Sequence, residues 1–171
     1  AIRDVAGLKG VQIKITAFGE QIGALSGFAA QPVLTPLPPI PAMGPFLASV
    51  TIADGAGDKL AVSYFDFNMG REDQLRALLR GDIPDLLEIR GLTAYVTITA
   101  RDLPTAAKQL NLGPVPEGPL MLYGKVEDTG PARYKVEGLR FEAGGSDIGG
   151  DATLSLAGKQ PSVEADLSSS M

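Results

Sequence analysis

Residues Gly118 to Gly144 read GPLMLYGKVEDTGPARYKVEGLRFEAG, and residues Gly44 to Gly70 read GPFLASVTIADGAGDKLAVSYFDFNMG. The second stretch is a degenerate copy of the first, offset by 74 residues without a gap. Gly44, Pro45, Asp54, Val62, Phe67 and Gly70 match Gly118, Pro119, Asp128, Val136, Phe141 and Gly144. Each copy enters with apolar residues on one parity, Phe46, Val50 and Ile52 in the first and Leu120, Leu122 and Val126 in the second. Period 2 is the signature of a half-buried strand, because successive side chains point to opposite faces. An acidic, glycine-rich turn follows in each, Asp54-Gly55-Ala56-Gly57-Asp58 or Asp128-Thr129-Gly130-Pro131, so each copy reads as a β-hairpin. The return strand carries Leu60, Val62 and Tyr64 on one parity and Phe65 and Phe67 on the other. In the second copy the switch runs from Tyr134 and Val136 to Leu139 and Phe141, with Gly138 beside it. A one-residue change of parity must be absorbed by a β-bulge or a loop, and the same switch at the same place twice marks a structural device.

Outward from the repeat, Val11, Ile13 and Ile15 alternate with Gln12, Lys14 and Thr16 in a strand from Leu8 to Ala17, with a hairpin at Gly19 and a return strand from Glu20 to Ala30. Pro32 to Pro45 is a proline-rich connector, a stiff crossover more simply than an SH3-type ligand. Gln21 to Ala53 holds no charged residue, yet its prolines cannot sit in a membrane-spanning helix, since each removes a donor and clashes one turn back. After the first copy, Leu75, Leu78 and Leu79 share a helical face, which predicts a short amphipathic helix over Glu72 to Arg80 ended by Gly81. A brief strand is expected at Leu86 to Ile89 and a clear one at Leu92 to Ala100. Asp102 caps and Pro104 opens a second short helix, to Leu110. Past Gly144 come a turn, a strand with Leu154 and Leu156 inward, a turn over Gly158 to Pro161, and a strand with Val163, Ala165 and Leu167 inward. The expected architecture is mainly β, one repeat-containing domain over residues 1–171, with repeat A at about 40–103, repeat B at about 114–167 and an N-terminal hairpin at 8–30.

Composition excludes much chemistry. With no histidine and no cysteine, the chain has no thiol nucleophile, disulfide, imidazole base or Cys/His zinc site. A net charge of −5 argues against a phosphate-neutralising surface and so against nucleic acid. Glu142, Asp147 and Asp151 among glycines suggest a calcium loop, but without regular ligand spacing they read as a solvated turn. Asp54 to Lys59 lacks the Gly-Lys-Ser/Thr ending of a phosphate loop. The carboxylate pairs Asp82 with Asp85 and Glu137 with Glu142 are not placed in any cleft by the pattern, and no tryptophan is present to stack a sugar. No enzyme, metal or cofactor is expected.

The C-terminal half also carries a recognisable pattern: DLPTAAKQLNLGPVPEGPL, then LYGKVE, then YKVEGLRFEAGGSDIGGDATLSLAG, then KQPSVEADLSS. It resembles the AsmA-like C-terminal region of Gram-negative envelope proteins, with Leu112, Gly113, Gly118, Pro119, Gly145, Ser146, Asp147, Gly150, Asp151, Pro161, Ala165 and Leu167 at the recurring positions. The upstream copy lacks the Gly-Ser-Asp element. The resemblance implies a curved, trough-like sheet of repeated antiparallel hairpins with an apolar inner face, in a periplasmic protein anchored in the inner membrane by a segment outside this one. It further implies phospholipid transport and outer-membrane biogenesis. On this chain the lipid-facing side would include Val50, Ile52, Leu60, Val62, Val126, Tyr134, Val136, Phe141 and Leu154. A structural module binding envelope assembly proteins through exposed strand edges is the alternative.

Overall fold

The computed structural model describes residues 10, 12–21, 44–110, 113–157 and 160–169. Nine strands form one sheet: β1 (Gln12–Gly19), β2 (Phe46–Asp54), β3 (Leu60–Gly70), β4 (Leu75–Ile83), β5 (Thr93–Ala100), β6 (Leu120–Gly130), β7 (Arg133–Ala143), β8 (Ser146–Ser155) and β9 (Ser162–Ser168). Their order in the sheet is their order in the chain, and every neighbouring pair is antiparallel. Among the described residues there is one α-helix, α1 (Leu103–Gln109), which joins β5 to β6. Its first turn is set as the sequence predicts: the Asp102 carboxylate accepts from the Thr105 N–H at 3.0 Å and Pro104 occupies the opening turn.

The helix expected over Glu72 to Arg80 is instead strand β4. Leu75, Leu78 and Leu79 satisfy a helical face, but Leu75, Ala77 and Leu79 equally satisfy period 2, and short apolar runs are ambiguous between the two. Tertiary context decides: β4 hydrogen-bonds to β3 on one side and β5 on the other, which a helix could not do. Gly81, read as the helix stop, is a glycine for another reason. A Cβ there would lie 1.9 Å from the Thr93 carbonyl oxygen of β5 and 2.8 Å from the Phe65 ring. The brief strand expected at Leu86 to Ile89 is a turn, closed by an isolated bridge between Asp85 and Arg90. The return strand after Gly19 and the proline-rich connector fall outside the described residues, apart from Glu20, Gln21, Gly44 and Pro45; β1 pairs with β2.

Both parity switches are bulges, at corresponding places. The β3–β4 register shifts between Val62 and Phe65, and the β7–β8 register shifts between Val136 and Leu139, 74 residues on. Gly138 takes φ +59° inside the second bulge, where the left-handed region favours glycine. Opposite Phe65 stands Gly81 and opposite Leu139 stands Gly150; a Cβ on Gly150 would lie 2.0 Å from the Asp166 carbonyl oxygen. Each bulge therefore brings the strand beyond it too close for any side chain. The paired aspartates have a matching role. Asp54 accepts the N–H of Gly10 ahead of β1, and Asp128 accepts the N–H of Gly91 ahead of β5 at 2.9 Å. Ile13 faces Ile52 as Ala94 faces Val126, so β1 is the counterpart of β5 and the structural period is four strands. With a strand where the helix was expected, the two copies are more alike than their sequences suggest.

Candidate functional site

Antiparallel partners share a face, so the register assigns every strand residue to one side of the sheet. Following the pairs from Ile13 and Ile15 through Ile52 and Val50 to Val62 and Phe65, and on to β9, keeps the apolar parity of all nine strands on one side. The bulges make this possible, since without them Phe65 and Phe67, or Leu139 and Phe141, would turn to the other face. All nine residues expected on the apolar side lie there: Val50 and Ile52 on β2, Leu60 and Val62 on β3, Val126 on β6, Tyr134, Val136 and Phe141 on β7, and Leu154 on β8. Val163, Ala165 and Leu167 of β9 continue the same face. Tyr64 does not share it with Leu60 and Val62. It sits in the first bulge, turned to the polar side, and its hydroxyl donates to Asp66 at 3.1 Å.

The face is wider than those nine residues. Phe65, Leu79, Val96, Ile98, Leu122 and Ile148 belong to it as well. Alternation within each strand was signal enough for most of these. Phe65 was hidden by the parity switch and Leu79 by the helical reading of β4.

Cover over the face is local. Val62, Phe65 and Ala94 are buried, with Leu86 and Leu92 of the β4–β5 loop packed against them. Leu75, Ala100 and Ala106 form a second buried cluster where α1 lies on the sheet end, and Phe46 with Ala48 a third. In β6 to β9 the only buried apolar side chain among the described residues is Ala143. There the face is half-buried or open: Ile148 is 39% exposed, Leu167 47% and Val163 69%.

The opposite face is polar, and several of its charges pair with one another. Arg80 bridges to Asp66 at 3.0 Å. On β6 and β7, Lys125, Glu127, Lys135 and Glu137 alternate in sign across the ladder; Lys135 meets Glu137 at 2.6 Å, and Lys125 contacts Glu127 and, at 3.8 Å, Glu137. The hydrogen bond from Lys135 holds the Glu137 carboxyl below its usual range and raises the Lys135 ammonium, while Glu127 raises Lys125. These shifts come from ion pairing on an exposed surface. For Glu137 the effect is to favour the ionised carboxylate, the opposite of what a general acid needs at neutral pH.

The acidic stretches weighed in the sequence are structural. Gly144 and Gly145, both left-handed, form the β7–β8 turn, while Asp147 and Asp151 lie on β8. Asp151 accepts the Gly138 N–H at 2.9 Å, which anchors the second bulge, and Asp147 accepts from Ser169 at 3.3 Å. Asp54 to Lys59 is a turn in which the Gly55 N–H donates to the Lys59 carbonyl at 2.7 Å. Asp85 is held by other groups: Lys59 bridges to it at 2.5 Å and the Glu88 N–H donates to it at 3.2 Å. What the arrangement offers chemically is an apolar surface of many strands backed by a polar one. The chain matches no protein-family profile, no curated protein and no solved structure.

Proposed function

We propose that this chain is a lipid-sheltering segment of an AsmA-like envelope protein, carrying phospholipid acyl chains along the apolar face of a trough-like sheet in the periplasm. One observation carries the reading: a single-layer sheet gathers the apolar parity of nine strands on one side, and its second half leaves that side largely uncovered. A sheet face of this kind must be buried against a second layer, further repeats or lipid. Each acyl methylene removed from water contributes about 0.8 kcal/mol, so a row of half-open valines, leucines and phenylalanines suffices without a catalytic group. Transfer along such a face is passive, and its direction comes from elsewhere.

The test is a photo-crosslinking amino acid at Val136, on the apolar side, with Lys135 on the polar side as control, followed by exposure to phospholipid and mass spectrometry. Covalent phospholipid at Val136 and none at Lys135 is the expected result; no lipid at Val136 removes the reading. A scaffold module binding envelope proteins is the second reading, and it is favoured by the dry packing of Val62, Phe65 and Ala94 in the first half. Under it, Val136 would crosslink to protein only.

A further inference from the structure

The two ends of the strands differ. At one end lie the β3–β4 turn Arg71-Glu72-Asp73-Gln74, the Gly144-Gly145 turn and the α1 connection. At the other lie the turns between β2 and β3, β4 and β5, β6 and β7, and β8 and β9, and these expose Ala56, Leu87, Ile89, Pro131 and Leu156. Leu87 is 80% exposed, Ile89 57% and Leu156 46%. Successive turns on one rim are two strands, or about 10 Å, apart, so the tips form a line of about 30 Å. A line of small apolar tips fits a plane better than a pocket.

A second, independent feature marks the same rim. Among the described residues, the non-glycine residues with positive φ are Ile89 at +52° and Ala132 at +53°, and both are in its turns. A β-branched residue there is a genuine outlier, and glycine or asparagine would take the conformation at far less cost. The turn from Leu86 to Ile89 is nonetheless held hard. Arg90 and Asp85 exchange backbone hydrogen bonds at 3.0 and 3.2 Å, the Leu86 N–H donates to the Leu60 carbonyl at 2.8 Å, and the Gly91 N–H donates to Asp128. Among the described residues, several of the rim's charges are spent on one another or on backbone: Lys59 on Asp85, Arg90 on Glu88 at 3.7 Å, Asp54 and Asp128 on glycine N–H groups. Leu86 and Leu92 of this loop pack on the apolar sheet face, so the exposed tip is continuous with that face.

We infer that this rim, led by Leu87 and Ile89, docks on the surface of a zwitterionic lipid bilayer by shallow insertion of its apolar tips. Insertion of a few rigid aliphatic side chains needs no net charge. The strained turn holds Leu87 and Ile89 outward instead of letting them fold back on the sheet. The inference adds a docking edge to the lipid reading above and can be tested apart from it: absence of lipid at Val136 would remove the sheltering face and leave the rim untouched.

The experiment is flotation of the purified chain with phosphatidylcholine vesicles, at low and high salt, with thermal denaturation of every variant. Wild type should float at both salt concentrations. Ile89→Asn should raise the melting temperature, because asparagine accepts the left-handed turn, and weaken vesicle binding about threefold; Leu87→Ser with Ile89→Asn should weaken it at least tenfold. Phe18→Ser is the control, since Phe18 is 81% exposed but lies on the polar parity of β1 near the other end; it should change nothing. Failure of wild type to float, flotation only with anionic lipid and lost in salt, or equal loss in Phe18→Ser each overturns the inference. So does a fall in melting temperature for Ile89→Asn, which would make the side chain part of the fold, or a self-association that Leu87→Ser abolishes.

Discussion

Strands β2 to β5 and strands β6 to β9 share their antiparallel pairing and a bulge with a glycine opposite it, yet the first set is packed and the second is open. In the first, Val62 and Phe65 are each 5% exposed beneath Leu86 and Leu92, and the Phe65 ring lies over Gly81. In the second, the counterparts are Val136, which is half-buried, and Leu139, opposite Gly150. The difference comes from the connections. The β4–β5 loop, Pro84 to Leu92, folds two leucines onto the sheet, and α1 covers the end near Leu75. The shorter β8–β9 turn sends Leu156 outward, and β9 has no neighbour on its far side among the described residues. One strand pattern thus serves both a dry core and an open apolar surface, and what lies between the strands decides which.

The comparison can be broken most forcefully at the bulge glycines. Gly81→Ala forces a Cβ into the β5 backbone in the middle of the sheet and should cost about 4 kcal/mol or more, read by chemical denaturation. Gly150→Ala makes the equivalent clash with β9 and should cost only about 2 kcal/mol, since an edge strand can detach. Hydrogen exchange should then show protection lost in β9 and kept in β2 to β5; equal global loss would mean the halves do not differ in cooperativity. Next in size, Leu75→Ala, at a fully buried site, should destabilise by about 3 kcal/mol, against about 1 kcal/mol for the half-buried Leu154→Ala.

A crosslinker at Val62 sharpens the same contrast. If the packed half stays closed, phospholipid labelling at Val62 should be several-fold weaker than at Val136, and equal labelling would show that the β4–β5 loop lifts. The smallest effect is electrostatic. Lys59, and then the Glu88 N–H, hold the Asp85 carboxyl below its ordinary value, so its contribution is present above the unfolded-chain pKa and lost as pH falls through the lower folded value. Melting temperature measured below about pH 4 should therefore fall in wild type, and Asp85→Asn should flatten that limb. An unchanged acid limb would show that the loop is held by its backbone hydrogen bonds and by Leu86 and Leu92, without help from the Asp85 carboxylate.

How much of this was legible depends on where each residue's signal resides. Alternation in β2, β5, β6 and β7 is local, because a strand with one buried face must repeat every second residue, and it placed Val50, Val126 and Phe141 on one side before any pairing was known. The bulges were legible for the same reason: a break in parity must be repaired somewhere. Strand β4 was not, since LRALLR meets both the helical and the strand period, and the hydrogen bonds that settle it come from strands on either side. Tyr64 was misplaced because parity shows that a bulge exists but not which residue it displaces.

The sequence by itself determined most of the strands, the repeated hairpins, the bulges and the absence of any imidazole or thiol chemistry, since these follow from period, turn residues and composition. Only the tertiary structure decided that nine strands lie in chain order in one layer, that Gly81 and Gly150 must be glycines, and that one half is covered and the other open. Those properties depend on how close separate strands approach and which loops fold back over them, and distances between segments far apart in the chain are not written in the spacing of residues within any one of them.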